Sequence, residues 1–228
     1  MKVLIDCDII AYHAVYSKDG ATVTGLLDKL DEIMESILSA TIPYGQPHNY
    51  SAYLTGKGNF RHDLSPIYKA QRPKEKPMTL QLARNHLVDE WGAKVTEGYE
   101  ADDAIAMEAH RLGYENVIVV SIDKDFKQLP CLIYNYQKQS WLQVDEWASK
   151  INFYTQVLTG DTADNIKGVD GIGPKKALKA LEGCTTEKDL YEACLKAYEG
   201  NASQLDLAAQ LLWLRREPDQ VWTKPGGT

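Results

Sequence analysis

Eight acidic residues stand in four short groups along the chain: Asp6; Glu100, Asp102 and Asp103; Asp123 and Asp125; Asp161 and Asp164. Each group falls where the pattern of apolar residues predicts the end of an element. Open α/β sheets carry their sites at the carboxyl ends of strands, so four such groups would meet at one sheet edge. Eight carboxylates repel unless cations lie among them. Donor sets of oxygen alone suit Mg²⁺ or Mn²⁺. Two such ions, roughly 4 Å apart, suit in-line cleavage of a phosphodiester. Lys69 and Arg72, three residues apart, would share one side of a helical turn and add positive charge at the reacting phosphate. No Cys or His is needed as a nucleophile.

The elements that must position these groups follow from local pattern. Lys2–Ile5 is a short apolar run ending in Asp6, as expected for a buried first strand. An acid at that point is either a helix cap or a metal ligand, and if the strand continued, Asp8 would share its face. Apolar residues from Leu26 to Leu38 recur with a helical period, and Tyr50–Leu54 reads as a second strand. Helical character runs from Thr79 to Trp91, and Ala93–Thr96 is a short strand. Glu100, Asp102 and Asp103 open a helix, where a favourable dipole accounts for one or two acids more readily than three. Asn116–Ser121 has no polar face, as a strand buried on both sides requires, and it leads into Asp123 and Asp125. An EF-hand does not fit, because Lys127, Gln128 and Leu129 break the oxygen-ligand pattern. Leu132–Tyr136 and Trp141–Val144 are further strand pieces, and Asp145 caps a helix to about Leu158. Two more helices, Glu187–Tyr198 and Ser203–Arg216, complete the chain before a tail expected to fray.

Two stretches point to a polyphosphate partner. Lys57–Pro77 holds Lys57, Arg61, Lys69, Arg72, Lys74 and Lys76, with Phe60 and Tyr68 interleaved. Such composition is that of a solvated loop; its functional alternative is a segment that orders on a nucleic-acid backbone. Gly168-Val169-Asp170-Gly171-Ile172-Gly173 cannot be a helix interior. Pro174 suits the first position of the next helix, and Lys175 and Lys176 follow. With Asp161 and Asp164 read as one face of the helix before it, the layout is helix, glycine hairpin, helix. It would grip phosphates without reading bases. A bare helix–helix turn is the alternative. A dinucleotide loop is excluded by spacing and by the lack of a preceding strand.

Composition sets bounds. The chain has 228 residues and a formal charge of −7, which argues against a nucleic-acid partner until the eight clustered acids are set aside, leaving +1. No apolar run approaches the roughly 20 residues that cross a bilayer, and the first residues lack a signal-peptide layout. The expectation is a cytoplasmic protein with no membrane partner. Cys7, Cys131, Cys184 and Cys194 are scattered, as expected of reduced thiols, and neither they nor the dispersed histidines form a zinc pattern.

LIDCD near the start, YKAQR at Tyr68–Arg72, EADD at Glu100–Asp103, DKD at Asp123–Asp125 and GDTADNIKGVDGIGPKKA from Gly160 occur in one order over most of the chain. In this the chain resembles the flap endonuclease and 5′→3′ exonuclease superfamily, most nearly its short, free-standing phage members. The resemblance implies an α/β fold of PIN-like or FEN-like type, a mainly parallel sheet flanked by helices, with a helix-hairpin-helix lobe and a basic arch. The implied divisions are a nuclease core at 1–145 with the arch at about 57–78, a DNA-binding lobe at 146–200, and a C-terminal helix and tail at 201–228 packing back on the core. Asp6, Glu100, Asp102 and Asp123 would serve one metal ion and Asp125, Asp161 and Asp164 a second, with Asp103 joining either through water. Lys69 and Arg72 would contact the reacting phosphate, beside Arg61 and Tyr68. Gly168, Val169, Gly171, Ile172, Gly173, Lys175 and Lys176 would hold duplex phosphates, with K⁺ at the hairpin carbonyls. The implied substrate is DNA with 5′ ends, nicks or flaps, or an RNA–DNA hybrid; the sequence leaves the oligomeric state open, with a monomer the expectation.

One departure stands out. Members of that superfamily carry a further metal-site Asp after the second strand, where this chain has Leu54-Thr55-Gly56-Lys57. Water or Asp8 would have to stand in. Two other readings follow: a structure-specific DNA-binding protein with a degenerate metal site, and a PIN-type ribonuclease, which the hairpin and basic turn fit poorly.

Overall fold

The computed structural model describes residues 1–44, 49–72 and 76–226. Residues 73–75, which include Lys74 of the basic stretch, and the last two residues of the tail lie outside the described residues.

The chain opens with strand β1 (Lys2–Asp6) and turns at once into helix α1 (Cys7–Val15). Asp8 is therefore in the first turn of a helix, not on a strand face shared with Asp6. Helix α2 (Val23–Thr41), strand β2 (Tyr50–Lys57), the single turn α3 (Arg61–Leu64), helix α4 (Met78–Asp89) and strand β3 (Lys94–Glu97) follow. Helix α5 (Ala101–Leu112) then leads to β4 (Val117–Val120), β5 (Leu132–Asn135) and β6 (Ser140–Gln143). These strands form one sheet in the order β3-β2-β1-β4-β5-β6, parallel except for β6.

That order puts the reversal of winding between β1 and β4. Crevices at the carboxyl ends of strands open at such a point. Both strands are buried on both faces, as their unbroken apolar runs demand. Val3 and Ile5 point to the layer of α1, α2 and α4, where Ile10, Leu30, Met34, Ala83 and Leu87 cover them. Leu4, Val117 and Val119 point the other way, against Ala101, Ile105 and Ala109 of α5.

A second body of helices follows. It comprises α6 (Glu146–Thr159), a two-stranded ladder of β7 (Gly160–Asp161) and β8 (Ile166–Lys167), then α7 (Pro174–Ala180), α8 (Glu187–Ala197) and α9 (Ala202–Leu212). Asp145 caps α6 as expected, accepting the Ala148 N–H at 2.7 Å. The apolar side of α9 packs with α6 and α8 in their own core. The apolar side of α9 thus packs on the helical body, while its end and the segment after it meet the sheet domain: Arg61 donates to the Leu211 and Trp213 carbonyls, the Arg215 N–H to Asp103, and Leu214 joins the sheet's core. The tail is not frayed at Trp222, which is buried with ring centroids 6.1 Å from Phe153 and 6.2 Å from Tyr191. All four cysteines are unpaired, and among the described residues no helix is long and apolar enough to cross a membrane.

Candidate active site

Asp6, Asp102 and Asp123 meet at the carboxyl ends of β1 and β4. Asp6, the last residue of β1, is buried. It accepts the Ser121 hydroxyl at 2.8 Å and the Ile9 N–H at 3.5 Å, capping α1. Ser121 also accepts the Asp123 N–H at 3.0 Å, so one hydroxyl couples the two strand ends. Burial, then the charges of Asp8 and Asp123, push the Asp6 carboxyl up to about 7. Burial and the charges of Asp6, Asp123 and Glu100 raise Asp102 well above the usual carboxylate range. Burial also raises Asp123. None of the three has an ion-pair partner among the described residues, whereas every other acid at this mouth has one.

The flanking acids are held by cations. Lys124 pairs with Asp161 and lies 3.5 Å from Asp125. Burial pulls the Asp161 carboxyl upward, but Lys124 and two backbone N–H groups hold it below its ordinary value. Asp125 also accepts the Gln156 amide, and burial with the Asp123 charge pushes it up to about 7. Lys69 pairs with Glu100 and stands 3.4 Å from Asp164, while Arg72 pairs with Asp164. Against the effect of burial, Lys69 and Arg61 keep Glu100 below the usual range.

Asp161 and Asp164 do not share a helix face. Asp161 lies in β7, and Asp164 in the turn between β7 and β8. Asp161 Oδ1 accepts the N–H groups of Ala163 at 2.8 Å and Asp164 at 3.3 Å. A side chain that bonds backbone two residues on builds a turn in place of a helix.

The basic stretch is a turn as well. Lys69 has φ +54° and donates its N–H to the Asp164 carbonyl at 2.9 Å. Gln71 donates to the Thr162 and Ala163 carbonyls, and Asn165 to the Ile67 carbonyl. Lys69 and Arg72 do converge on one target, and it is the Asp164 carboxylate. Tyr68, expected to meet nucleic acid, is 2% exposed. Its hydroxyl lies 2.9 Å from Glu100 and 3.0 Å from Asp164, clasping the two acids with its single proton. Tyr68 is therefore not a stacking or phosphate contact.

Arg61 and Asp103 are withdrawn from the site. Arg61 is 2% exposed and Asp103 fully buried. Two hydrogen bonds join them, at 2.6 and 2.9 Å. Arg61 also donates to the Leu211 and Trp213 carbonyls, each at 2.8 Å, which accounts for the end of α9 at Leu212 instead of Arg216. A group closed in this way meets neither a metal ion nor a phosphate.

At Gly56, within the stretch that lacks the further acid, β2 and β3 approach too closely for any side chain. A Cβ on Gly56 would stand 1.9 Å from the Thr96 carbonyl oxygen. Asp8 does not stand in. One of its oxygens accepts the Thr55 N–H at 2.8 Å and the other pairs with Arg84, which also donates to the Thr55 carbonyl. Arg84, Ser121, Lys124 and Thr55 escaped the sequence reading. For Arg84 a cue existed: it is a lone cation between Leu80 and Leu87 on the buried side of α4.

In the hairpin, Gly171 has φ +74°, which favours glycine. Gly173 has no such need, since its φ is −93° and an added Cβ would meet nothing within 4 Å. The Gly171 carbonyl, expected to face K⁺, accepts the Lys176 ammonium at 2.8 Å.

Among the described residues no three acids, histidines or cysteines are gathered tightly enough to ligate one ion directly. Mg²⁺ ordinarily binds through one or two carboxylates and keeps several waters. Buried carboxylates that raise one another's proton affinity and lack a protein cation fit such an ion by chemistry and charge.

Residues 2–152 match the family model of the 5′-3′ exonuclease N-terminal resolvase-like domain. The chain is 30% identical over 189 residues to the flap endonuclease Xni of Vibrio cholerae, covering 76% of this chain and 72% of that protein. It is 36% identical over 162 residues to the thermostable DNA polymerase I of Thermus aquaticus, covering 60% of this chain but only 18% of the polymerase. In fold it resembles the bacteriophage T5 5′-exonuclease with bound zinc ions, with a TM-score of 0.65 at 16% identity over 92% of this chain and 88% of that one.

Proposed function

The chain belongs to the 5′-3′ exonuclease and flap endonuclease family, and on that footing we propose that it hydrolyses DNA phosphodiesters at 5′ ends, nicks or flaps with Mg²⁺ or Mn²⁺. The observation that carries this is the set of three uncompensated carboxylates, Asp6, Asp102 and Asp123, at the point where the sheet reverses its winding. With Glu100 they would hold one ion, and Asp125, Asp161 and Asp164 a second. Bound there, the ions supply positive charge to the reacting phosphate and acidify water.

The chain's own groups do the rest. Ser121 keeps Asp6 and Asp123 in register across the strand ends. Lys69 and Arg72, clasped on Glu100 and Asp164, exchange those partners for phosphate oxygens when a strand enters. The hairpin from Gly168 to Gly173, with Lys175, takes duplex phosphates away from the cleavage point. At Gly173 the fold has room for a side chain that the sequence withholds, as expected where an outside backbone comes close.

The test is cleavage of 5′-flap, nicked, blunt and RNA-primed duplexes in Mg²⁺, Mn²⁺ or EDTA, beside Asp123→Asn. Metal-dependent cleavage from the 5′ side that the variant loses is the expected result. Flap binding without cleavage under either metal would make the chain a binding protein on a nuclease fold. Cleavage of single-stranded RNA alone would favour a ribonuclease.

A further inference from the structure

The Gly56 corner has no acid on β2 itself and holds Asp8 paired with a fixed cation, Arg84. Arg84 spends two of its guanidinium N–H groups on Asp8 and on the Thr55 carbonyl. A guanidinium carries five such donors in a rigid fork. Arg84 remains part-exposed, with 18% of its side chain accessible. Asp8 follows Asp6 by two residues, and Thr55 Oγ1 accepts the Ala101 N–H at 2.9 Å, tying this corner to the start of α5 where Glu100 and Asp102 stand. Both oxygens of Asp8 are engaged by Arg84 and the Thr55 N–H. The anchors hold the guanidinium in place before any ligand arrives, which lowers the ordering cost of binding.

We infer that Arg84 is a substrate contact: its remaining donors take a backbone phosphate of the nucleic-acid strand at the carboxyl ends of β1 and β2. Lys69 pairs with Glu100 at the start of α5, and Arg72 with Asp164. The strand would then meet Arg84 in addition to Lys69 and Arg72. This rests on the nuclease reading above, and it adds a contact on the side where the further Asp is absent. A merely structural arginine would buttress Asp8 and Thr55 and touch nothing else.

Salt titration of binding separates the two. A labelled duplex with a 5′ single-stranded tail is bound to the full chain in EDTA, so that no cleavage intervenes. Each phosphate contact contributes about 0.7–0.9 to the slope of log K against log salt. Arg84→Gln should make the slope shallower by about that amount and weaken binding roughly tenfold at low salt. Arg84→Lys should recover the slope. Should Arg84→Gln fold poorly because Asp8 is left alone, the double variant Asp8→Asn with Arg84→Gln removes both charges and leaves no unpaired one. An unchanged slope in that protein, with any loss confined to thermal stability, overturns the contact and leaves the nuclease reading standing. Failure of the unmodified chain to bind the tailed duplex at all, with Mg²⁺ as well as in EDTA, overturns both.

Discussion

Arg61 grips Asp103 inside the protein, Nη1 to Oδ2 at 2.6 Å and Nη2 to Oδ1 at 2.9 Å. Asp103 also accepts the Arg215 N–H at 3.0 Å and the Glu100 N–H at 3.3 Å. One buried carboxylate thus joins α3, the start of α5 and the segment after α9. The C-terminal segment reaches the active-site helix through this pair, and Glu100 is set by it.

Arg61→Met should leave Asp103 as an uncompensated buried charge. Removing one partner of such a pair costs about 3–5 kcal/mol, which for a chain of this size lowers Tm by roughly 10 °C. Thermal unfolding checks it. Near-unchanged stability, with selective loss of DNA binding, would return Arg61 to the phosphate role that its basic neighbourhood implies.

Lys69→Gln should lower turnover by about a hundredfold, the scale for losing one aimed charge at a reacting group, with a smaller effect on KM. Single-turnover rates at saturating flap substrate measure it. Equal rates in both proteins would remove Lys69 from the chemistry and leave it as a partner of Glu100.

Gly173→Ala should fold as well as the unmodified chain, because the new methyl group meets open space. Its affinity for blunt duplex should nevertheless fall about tenfold, or roughly 1.4 kcal/mol, if a duplex backbone approaches the hairpin there. Unaltered duplex affinity with unaltered Tm would separate the hairpin from DNA.

What the chain reveals by itself divides along physical lines. The strands β1 and β4 and the acids that end them are legible because each carries its signal within a few residues. Asp102 and Asp103 are not separable that way. They are neighbours on a helix, about 100° apart around its axis, and only packing decides that one faces the mouth and the other Arg61. Composition likewise ranks Arg61 with Lys69 and Arg72, yet Phe60 and the carbonyls at the end of α9 draw it inside. The turn at Asp161–Asp164 reads as helix in the sequence because side-chain bonds to nearby backbone leave little trace in spacing. The Leu54–Lys57 stretch reads as lacking a ligand in the sequence, and in the fold Gly56 is the only size that fits against the Thr96 carbonyl.

The buried acids make a last prediction about pH. Asp6 and Asp125 rise from an ordinary 3.8 to about 7 in the folded protein, chiefly through burial. Between about pH 4 and pH 7 the folded state therefore holds protons that the unfolded state has released, so stability falls as pH rises through that window. Glu100 and Asp161 act in the opposite sense, being held below their ordinary values. Their contribution is complete above the ordinary carboxylate range and is lost only as pH falls below about 4, so it does not offset the decline. A divalent ion reverses the trend because it binds the ionised carboxylates. In EDTA, Tm should drop by several degrees from about pH 5 to about pH 7.5, and Mg²⁺ should raise Tm more at the upper end than at the lower. Asp125→Asn should flatten the EDTA profile. A metal-free Tm that stays level or climbs across this window would mean that the mouth is already neutralised by the protein's own cations, and that Lys69, Arg72 and Lys124 reach further over Asp6 and Asp102 than their pairs with Glu100, Asp164 and Asp161 indicate.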